Sequence, residues 1–297
     1  IYIKILISKV YKLTMKILAI QNRMGIGDTV IYLPYIKAIS ENFNTPVSIL
    51  VKENSKADQY LNQTNYIDKI IFLERGSKAN SRHDGIIGAL KLAKDLKDYK
   101  FDKVFIFNSS LRFNLVSRLA GIKKIYQYPL FEKKNQHVID PAKKLIENSL
   151  EINVLDNPEI QIDEHSIKNA RLKFNMSNEN LNILLAIGGS GPTKRIPAKT
   201  FLSFIEKINE IKKCKFYLAT GKNENEQEIL NEILNSKFKD KCVALDNFSI
   251  SEILPIIKNC NISGVDAFVA GEAGEDASDV DTDASEFGRK FAASMAA

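Results

Sequence analysis

The sequence predicts an α/β protein with two domains, each built on a parallel sheet covered by helices. Two glycine-containing turns follow short apolar runs and open helix-like stretches, at residues 16–28 and 182–194. Short apolar segments alternate with longer amphipathic ones through the chain, which is typical of β-α-β units. A length of 297 residues is comfortable for two domains of this kind.

The first series of segments predicts an amino-terminal domain at residues 15–160. Its short runs of β-branched, leucine and phenylalanine residues suit strands that are buried on both faces. Strands are expected over 17–21, 47–51, 69–73, 104–107 and 124–126. Apolar residues repeat every three or four positions over 29–42, 85–97 and 111–120, which predicts helices.

The tripeptide Asp-Asn-Pro at 156–158 interrupts the pattern, and a second series follows it. It predicts a carboxy-terminal domain at residues 161–266. Strands are expected over 183–187, 215–219, 243–245 and 261–265, and helices over 164–174, 198–212, 225–235 and 249–258. Each glycine turn presents backbone N–H groups at the carboxyl end of a strand, so we expect the two sheets to face one cleft.

The two ends of the chain differ from its middle. The chain does not begin with methionine, and Met15 directly precedes the first strong strand, so residues 1–14 are interpreted as a non-native leader. From residue 267, alanine, aspartate, glutamate and glycine replace the earlier isoleucine, leucine and asparagine. This composition predicts a disordered acidic tail over 267–297 and an incomplete second domain.

Composition narrows the class of protein. With 44% hydrophobic and 26% charged residues and no apolar stretch long enough to cross a bilayer, an integral membrane protein is not expected. The three cysteines fit no metal knuckle or redox pair, which favours a reducing compartment and a cytoplasmic location. The three histidines show no ligand spacing, so no metal site is expected.

Charge is unevenly distributed. The net charge is +6, but residues 266–297 carry eight acidic and two basic side chains, so the rest of the chain is distinctly basic. A basic surface attracts polyanionic partners such as nucleic acid, anionic lipid or nucleotides. No DNA- or RNA-binding motif accompanies the charge, and nucleic acid is therefore not the expected partner.

The first glycine turn places a carboxylate after a strand. Gly25 and Gly27 allow a tight turn, and Asp28 stands where a helix N-cap belongs. Asp28 is either an ordinary cap or a general base that accepts a proton from a sugar hydroxyl. The turn does not match the G-x-G-x-x-G fingerprint, which disfavours a nicotinamide enzyme.

The second turn combines flexible backbone with two hydroxyls and an ammonium. Ser190, Thr193 and Lys194 suit a diphosphate that gains negative charge, although a solvated loop lysine is the alternative for Lys194. The order of residues differs from that of a nucleotide-hydrolase P-loop. In the first domain, Arg82 and Arg112 either contact an anionic acceptor or are solvated surface charges.

Four segments together carry a family resemblance. They are residues 15–40 with Gly-Ile-Gly-Asp28, residues 186–197 with Gly-Pro-Thr-Lys194, residues 216–221 followed by Glu224 and Glu226, and residues 245–265 leading to Asp266. This combination resembles the family 9 glycosyltransferases, the ADP-heptose:lipopolysaccharide heptosyltransferases. The chain departs from the family after Asp266, where Ala-Phe-Val-Ala replaces the expected Thr-Gly and no histidine follows.

The resemblance implies a GT-B fold and inverting, metal-independent transfer of heptose from ADP-heptose, without a cofactor, to a lipopolysaccharide core acceptor. It implies that Asp28 is the general base and that Lys194, with Ser190 and Thr193, stabilises the departing nucleotide diphosphate. Glu224 or Glu226 would bind the ribose, Glu226 being equally well interpreted as a helix-surface charge, and Asp266 would contact the donor sugar.

The implied partners are a nucleotide-sugar, an anionic glycolipid and the surface of the inner membrane, where the protein would bind peripherally. Two alternatives stay open. The chain is a family member that uses a different nucleotide-sugar, or it is a GT-B-like protein that binds a nucleotide-sugar without catalysis.

Overall fold

The computed structural model describes residues 15–23, 25–76, 81–129, 139–155, 157–187 and 196–263. The chain divides into two compact units between Pro158 and Glu159, where the sequence predicted a boundary after residue 160. Within these described ranges, each unit contains one parallel sheet, with five strands in the first and four in the second. The predicted α/β class with two parallel sheets is therefore confirmed.

The sheet of the first unit has the order β3-β2-β1-β4-β5. Its strands are β1 (Ile17–Ile20), β2 (Val47–Lys52), β3 (Ile67–Leu73), β4 (Lys103–Ile106) and β5 (Lys124–Gln127). Ile17 lies opposite Val47 on one side and opposite Lys103 on the other. The direction in which the chain adds strands thus reverses at β1.

Five α-helices in the described part of the first unit accompany this sheet. They are α1 (Ile26–Val30), α2 (Leu33–Phe43), α3 (Gly85–Lys97), α4 (Leu111–Leu119) and α5 (Ile139–Leu150). The inner sides of α3 and α4 share one core cluster with Leu18 and Ile20 of β1, whereas α2 packs against α5. Helix α5 was not predicted from the sequence; Pro141 is its third residue, which a helix tolerates in its first turn.

The sheet of the second unit has the order β8-β7-β6-β9. Its strands are β6 (Leu181–Ala186), β7 (Cys214–Thr220), β8 (Cys242–Asp246) and β9 (Ile262–Ser263), and its helices are α6 (Glu164–Lys173), α7 (Ala198–Ile211), α8 (Glu224–Leu234) and α9 (Ile250–Asn259). Here the order reverses at β6. Phe201 and Phe216 lie at the centre of the core between α7 and the sheet.

Side-chain caps fix where helices of the second unit begin. The carboxylate of Asp163 accepts a hydrogen bond of 2.8 Å from the backbone N–H of Ser166 at the start of α6. Ser249 and Glu252 form a reciprocal capping box at the start of α9. In the described part of the chain, none of the helices is long and apolar enough to cross a membrane.

The start of α3 is held against the loop before it. His83 is 3% exposed, its Nδ1 accepts from the N–H of Glu74 at 3.1 Å, and its Nε2 lies 3.1 Å from Asp95 Oδ2. A Cβ atom at Gly88 would lie 2.2 Å from the carbonyl carbon of His83. Only glycine at position 88 therefore allows this close approach.

We predict that Gly88→Ala lowers the free energy of unfolding by about 1–3 kcal/mol, because the added methyl group forces α3 away from the His83 backbone. Urea denaturation followed by circular dichroism measures this loss. Lys91→Ala, on the exposed side of the same helix, is the control and is expected to change the unfolding free energy little. Equal stability of Gly88→Ala and the wild type would contradict the close packing at this position.

Candidate active site

The carboxyl edge of the first sheet contains a reversal of strand order between β1 and β4. The loops after these strands are joined by a hydrogen bond of 3.1 Å from Asn108 Nδ2 to Asn22 Oδ1. Asn108 Oδ1 in turn accepts from the N–H of Ser110 at 2.9 Å. Chains that leave neighbouring strands in opposite directions open a crevice, and this is where parallel α/β sheets bind ligands.

Asp28 lies next to this reversal, in the first turn of α1. The N-cap of α1 is Gly25, with φ 107° and ψ 164°, and Asp28 is the third helical residue. The interpretation of Asp28 as the N-cap is therefore wrong: Gly25, which adopts a positive φ without strain, caps the helix three residues earlier. Gln21 Nε2 donates to the carbonyl oxygen of Asp28 at 2.9 Å and ties α1 to the end of β1.

The Asp28 carboxylate is half-buried and forms an ion pair with the guanidinium of Arg23. Its side chain is 28% exposed, and Arg23 Nε lies 3.1 Å from Oδ1. Burial raises the pKa of Asp28, whereas the charge and hydrogen bond of Arg23 lower it. Burial has the larger effect, so Asp28 is a stronger base than an exposed aspartate.

Aromatic residues adjoin Arg23 and Asp28. Tyr32 is 2% exposed, its ring centre lies 5.1 Å from that of Phe107, and Phe107 also contacts Tyr128. Burial raises the pKa of both tyrosines. Sequence reasoning missed this group, because Tyr128 approaches it only through the pairing of β5 with β4.

The two arginines proposed for the acceptor are bonded within the first unit. Arg82 makes a bidentate ion pair with Asp95, at 2.7 and 3.0 Å. Arg112 donates to the carbonyl oxygen of Gly85 at 2.6 Å and to that of His83, and burial lowers its pKa. Both arginines thus fix the loop before α3, and their contact with an acceptor stays a prediction.

In the second unit, the predicted ribose-binding residues lie in the first turn of α8, beside the carboxyl end of β7. Glu226 is 8% exposed, and its Oε2 accepts from the N–H of Gly221 at 2.8 Å. The interpretation of Glu226 as a helix-surface charge is therefore wrong. Gln227, which the sequence analysis did not single out, bridges the Gly221 carbonyl and Asp246 Oδ1, and Glu224 is exposed in the first turn of α8.

The remaining predicted donor residues, Ser190, Thr193, Lys194 and Asp266, lie outside the described residues. Before the first three of them, the described chain ends at residue 187. Ile187, directly after β6, is 2% exposed and donates its N–H to the carbonyl oxygen of Ala219 at 2.9 Å. Within the described ranges, no group of three or more His, Cys, Asp or Glu side chains could hold a metal ion.

Comparison with known families defines the class of protein. Residues 89–267 match the family described as glycosyltransferase family 9 (heptosyltransferase). The match spans more than half of the chain, and the chain belongs to this family. It is therefore a glycosyltransferase. No curated protein matches the sequence.

Solved structures share the fold at low sequence identity. Escherichia coli ADP-heptose lipopolysaccharide heptosyltransferase II is 18% identical with a TM-score of 0.60, over 84% of this chain and 78% of that one. A family 9 glycosyltransferase from Veillonella parvula is 16% identical with a TM-score of 0.63, over 85% and 75%. E. coli heptosyltransferase WaaC, solved with ADP-2-deoxy-2-fluoro heptose, is 14% identical with a TM-score of 0.58, over 84% and 82%. The predicted GT-B fold is thus confirmed.

We predict that Glu226→Ala lowers the free energy of unfolding by about 1–3 kcal/mol, because the Gly221 N–H loses a charged acceptor. Glu226→Gln keeps an acceptor oxygen and should lose less. Glu224→Ala, on the exposed side of the same helical turn, is the matched control and should leave stability unchanged. Chemical denaturation of the three variants measures these differences, and equal stability of Glu226→Ala and Glu224→Ala would contradict the loop-holding role of Glu226.

Proposed function

We propose that the protein transfers heptose from ADP-heptose to the core region of a lipopolysaccharide acceptor, with Asp28 as general base. The observation that carries this proposal is the Asp28 carboxylate beside the reversal of strand order, paired with Arg23 and raised in pKa by burial. A base must be ionised to work, and a raised pKa increases its affinity for the proton it accepts. Membership of family 9 supplies the reaction class.

In the proposed reaction, Asp28 takes the proton of an acceptor hydroxyl as its oxygen attacks the anomeric carbon of the donor. The bond from that carbon to the diphosphate oxygen breaks, and the nucleoside diphosphate leaves from the opposite side. A single in-line displacement of this kind inverts the configuration at the anomeric carbon. Asp28 then releases its proton to solvent.

Donor binding is assigned to the second unit. Lys194, with Ser190 and Thr193, would neutralise the diphosphate as it leaves, so the step needs no metal ion and no cofactor. Glu224 would bind the ribose, because its side chain is exposed in the first turn of α8, beside the end of β7. The Glu226 carboxylate, in contrast, already accepts a hydrogen bond from the N–H of Gly221. Asp266 would contact the donor sugar.

The acceptor is proposed to be an anionic glycolipid, which places the reaction at the cytoplasmic surface of the inner membrane. Arg82 and Arg112 lie in and beside the loop before α3, and this loop follows β3 at the same edge of the sheet as Asp28. In addition to holding the loop, they would offer positive charge to the acceptor. The basic composition of the chain outside residues 266–297 supports an anionic partner.

We predict that Asp28→Asn lowers the rate of heptose transfer by about 10²- to 10⁴-fold, the usual contribution of a general base. The amide has nearly the same shape but cannot accept the proton. Radiolabelled transfer from ADP-heptose measures the rate, and calorimetric titration with ADP should show unchanged binding. Asp98→Asn, an exposed aspartate at the end of α3, is the control.

Two outcomes of this experiment would contradict the proposal. Full activity of Asp28→Asn would remove Asp28 from the chemistry. A wild-type protein that binds ADP but transfers no sugar from any nucleotide-sugar would instead be a binding protein.

We predict that kcat/KM falls as the pH is lowered, and that the midpoint of this acid limb lies above the ordinary aspartate pKa of about 3.9. The reason is that burial raises the pKa of Asp28, so the base becomes protonated at a higher pH than an exposed aspartate. Arg23 lowers this pKa, so Arg23→Gln should move the acid limb to still higher pH. Arg171→Gln, which removes an exposed arginine from the second unit, should leave the limb in place. An acid limb that is identical in Arg23→Gln and the wild type would contradict the coupling of Arg23 to the base.

A further inference from the structure

Helices α3 and α4 expose an unusual number of large aliphatic side chains. We refer to these six residues as the α3–α4 face: Ile86 (82% exposed), Ile87 (71%), Leu90 (54%), Leu111 (58%), Leu115 (55%) and Leu119 (48%). Single exposed aliphatic residues are normal on a protein surface, but a cluster on neighbouring helices marks an interaction site.

The six residues form one surface because the two helices lie side by side. Both helices bury their inner sides in the same core cluster on one face of the sheet, and they pack against each other. Arg112, in the first turn of α4, donates to the Gly85 carbonyl at the start of α3, which joins the two amino-terminal ends. Leu111, Leu115 and Leu119 are spaced four apart and form a stripe along α4.

Positive charge surrounds this apolar surface. The two helices contain five basic residues and one acidic residue, and the acidic one, Asp95, is paired with Arg82. Lys91, Lys94 and Lys97 are exposed on α3 directly after its apolar turns, and Arg118 is exposed on α4. Helices with aliphatic residues flanked by lysine and arginine are typical of attachment to anionic membrane surfaces.

We infer that the α3–α4 face docks on an anionic lipid bilayer. A second copy of the chain fits less well, because a two-fold contact would bring together two surfaces that carry the same excess of positive charge. Interfaces between proteins also draw most of their energy from tryptophan, tyrosine and arginine, whereas all six residues here are isoleucine or leucine. An anionic bilayer accepts aliphatic side chains and attracts the lysines at the same time.

The position of the α3–α4 face relates docking on a membrane to the proposed reaction. Helices α3 and α4 are the next α-helices along the chain after β3 and β4, so they begin on the side of the carboxyl edge of the sheet, and Asp28 follows β1 at that same edge. Docking would bring this edge to the lipid headgroups. In this respect the inference rests on the proposed function, because a membrane glycolipid is then the acceptor that Asp28 meets.

Binding of the full-length protein to vesicles tests the inference. The wild type should sediment with vesicles of phosphatidylethanolamine and phosphatidylglycerol but not with vesicles of phosphatidylcholine, and added salt should weaken binding. The double variant Leu90→Glu/Leu115→Glu should lose roughly tenfold in affinity per leucine replaced, as the transfer of a leucine side chain to lipid predicts. Replacing Lys91, Lys94 and Lys97 with glutamine should lose roughly fivefold per lysine.

Matched controls come from exposed residues of the second unit. Leu172→Glu/Ile211→Glu changes two large aliphatic side chains that are more exposed than Leu90 and Leu115, and glutamine at Lys207, Lys212 and Lys213 removes an equal charge. These variants should bind vesicles like the wild type, and thermal unfolding checks that every variant is folded.

Three outcomes would overturn the inference. The first is no binding of the wild type to anionic vesicles, and the second is an equal loss of binding in the control variants. The third is dimerisation of the wild type that Leu90→Glu/Leu115→Glu abolishes while vesicle binding is unchanged.

An assay of transfer to a water-soluble acceptor that lacks lipid chains separates docking from catalysis. The docking variants should keep this activity. Failure of the wild type in that assay would count against the proposed function alone, and failure to bind vesicles would count against docking alone.

Discussion

The pairing of β1 between β2 and β4 is the constraint on which the candidate site depends. The chain runs from β1 to β2 on one side of the sheet and from β4 to β5 on the other, so the loops after β1 and β4 leave the sheet edge in different directions. Asn22 and Asn108 bridge the two loops where they separate. Asp28, one short turn beyond β1, is thereby held at the place where a parallel sheet can admit a ligand.

At that place, burial and charge pairing have opposite effects on the pKa of the Asp28 carboxylate. Partial burial favours the protonated form of Asp28, and Arg23 favours the ionised form. An unpaired buried carboxylate would be protonated at neutral pH, and a fully exposed one would be a weak base. The Arg23 contact therefore opposes the effect of burial on the pKa of Asp28, and the buried ring of Tyr32 lies close enough to this carboxylate for its charge to raise the tyrosine pKa.

Most of the fold could be predicted from the sequence, because the strands are short apolar runs and the helices have clear amphipathic periodicity. Helix α5 was missed, since it buries few residues and includes Pro141. The N-cap at Gly25 was misplaced because a positive φ is not visible in a sequence that also offers Asp28, a preferred cap residue. The contact of Glu226 with Gly221, five residues earlier, depends on how the loop after β7 folds back on α8. The approach of Tyr128 to Tyr32 depends on the pairing of β5 with β4, and sequence periodicity reports neither contact.

The most direct measurement is the structure of the protein bound to ADP and an acceptor oligosaccharide. If Asp28 is the general base, the reactive hydroxyl oxygen lies about 2.6–3.2 Å from a carboxylate oxygen of Asp28. A bound acceptor whose reactive hydroxyl is hydrogen-bonded to a different base, with Asp28 contacting Arg23 alone, would contradict this role.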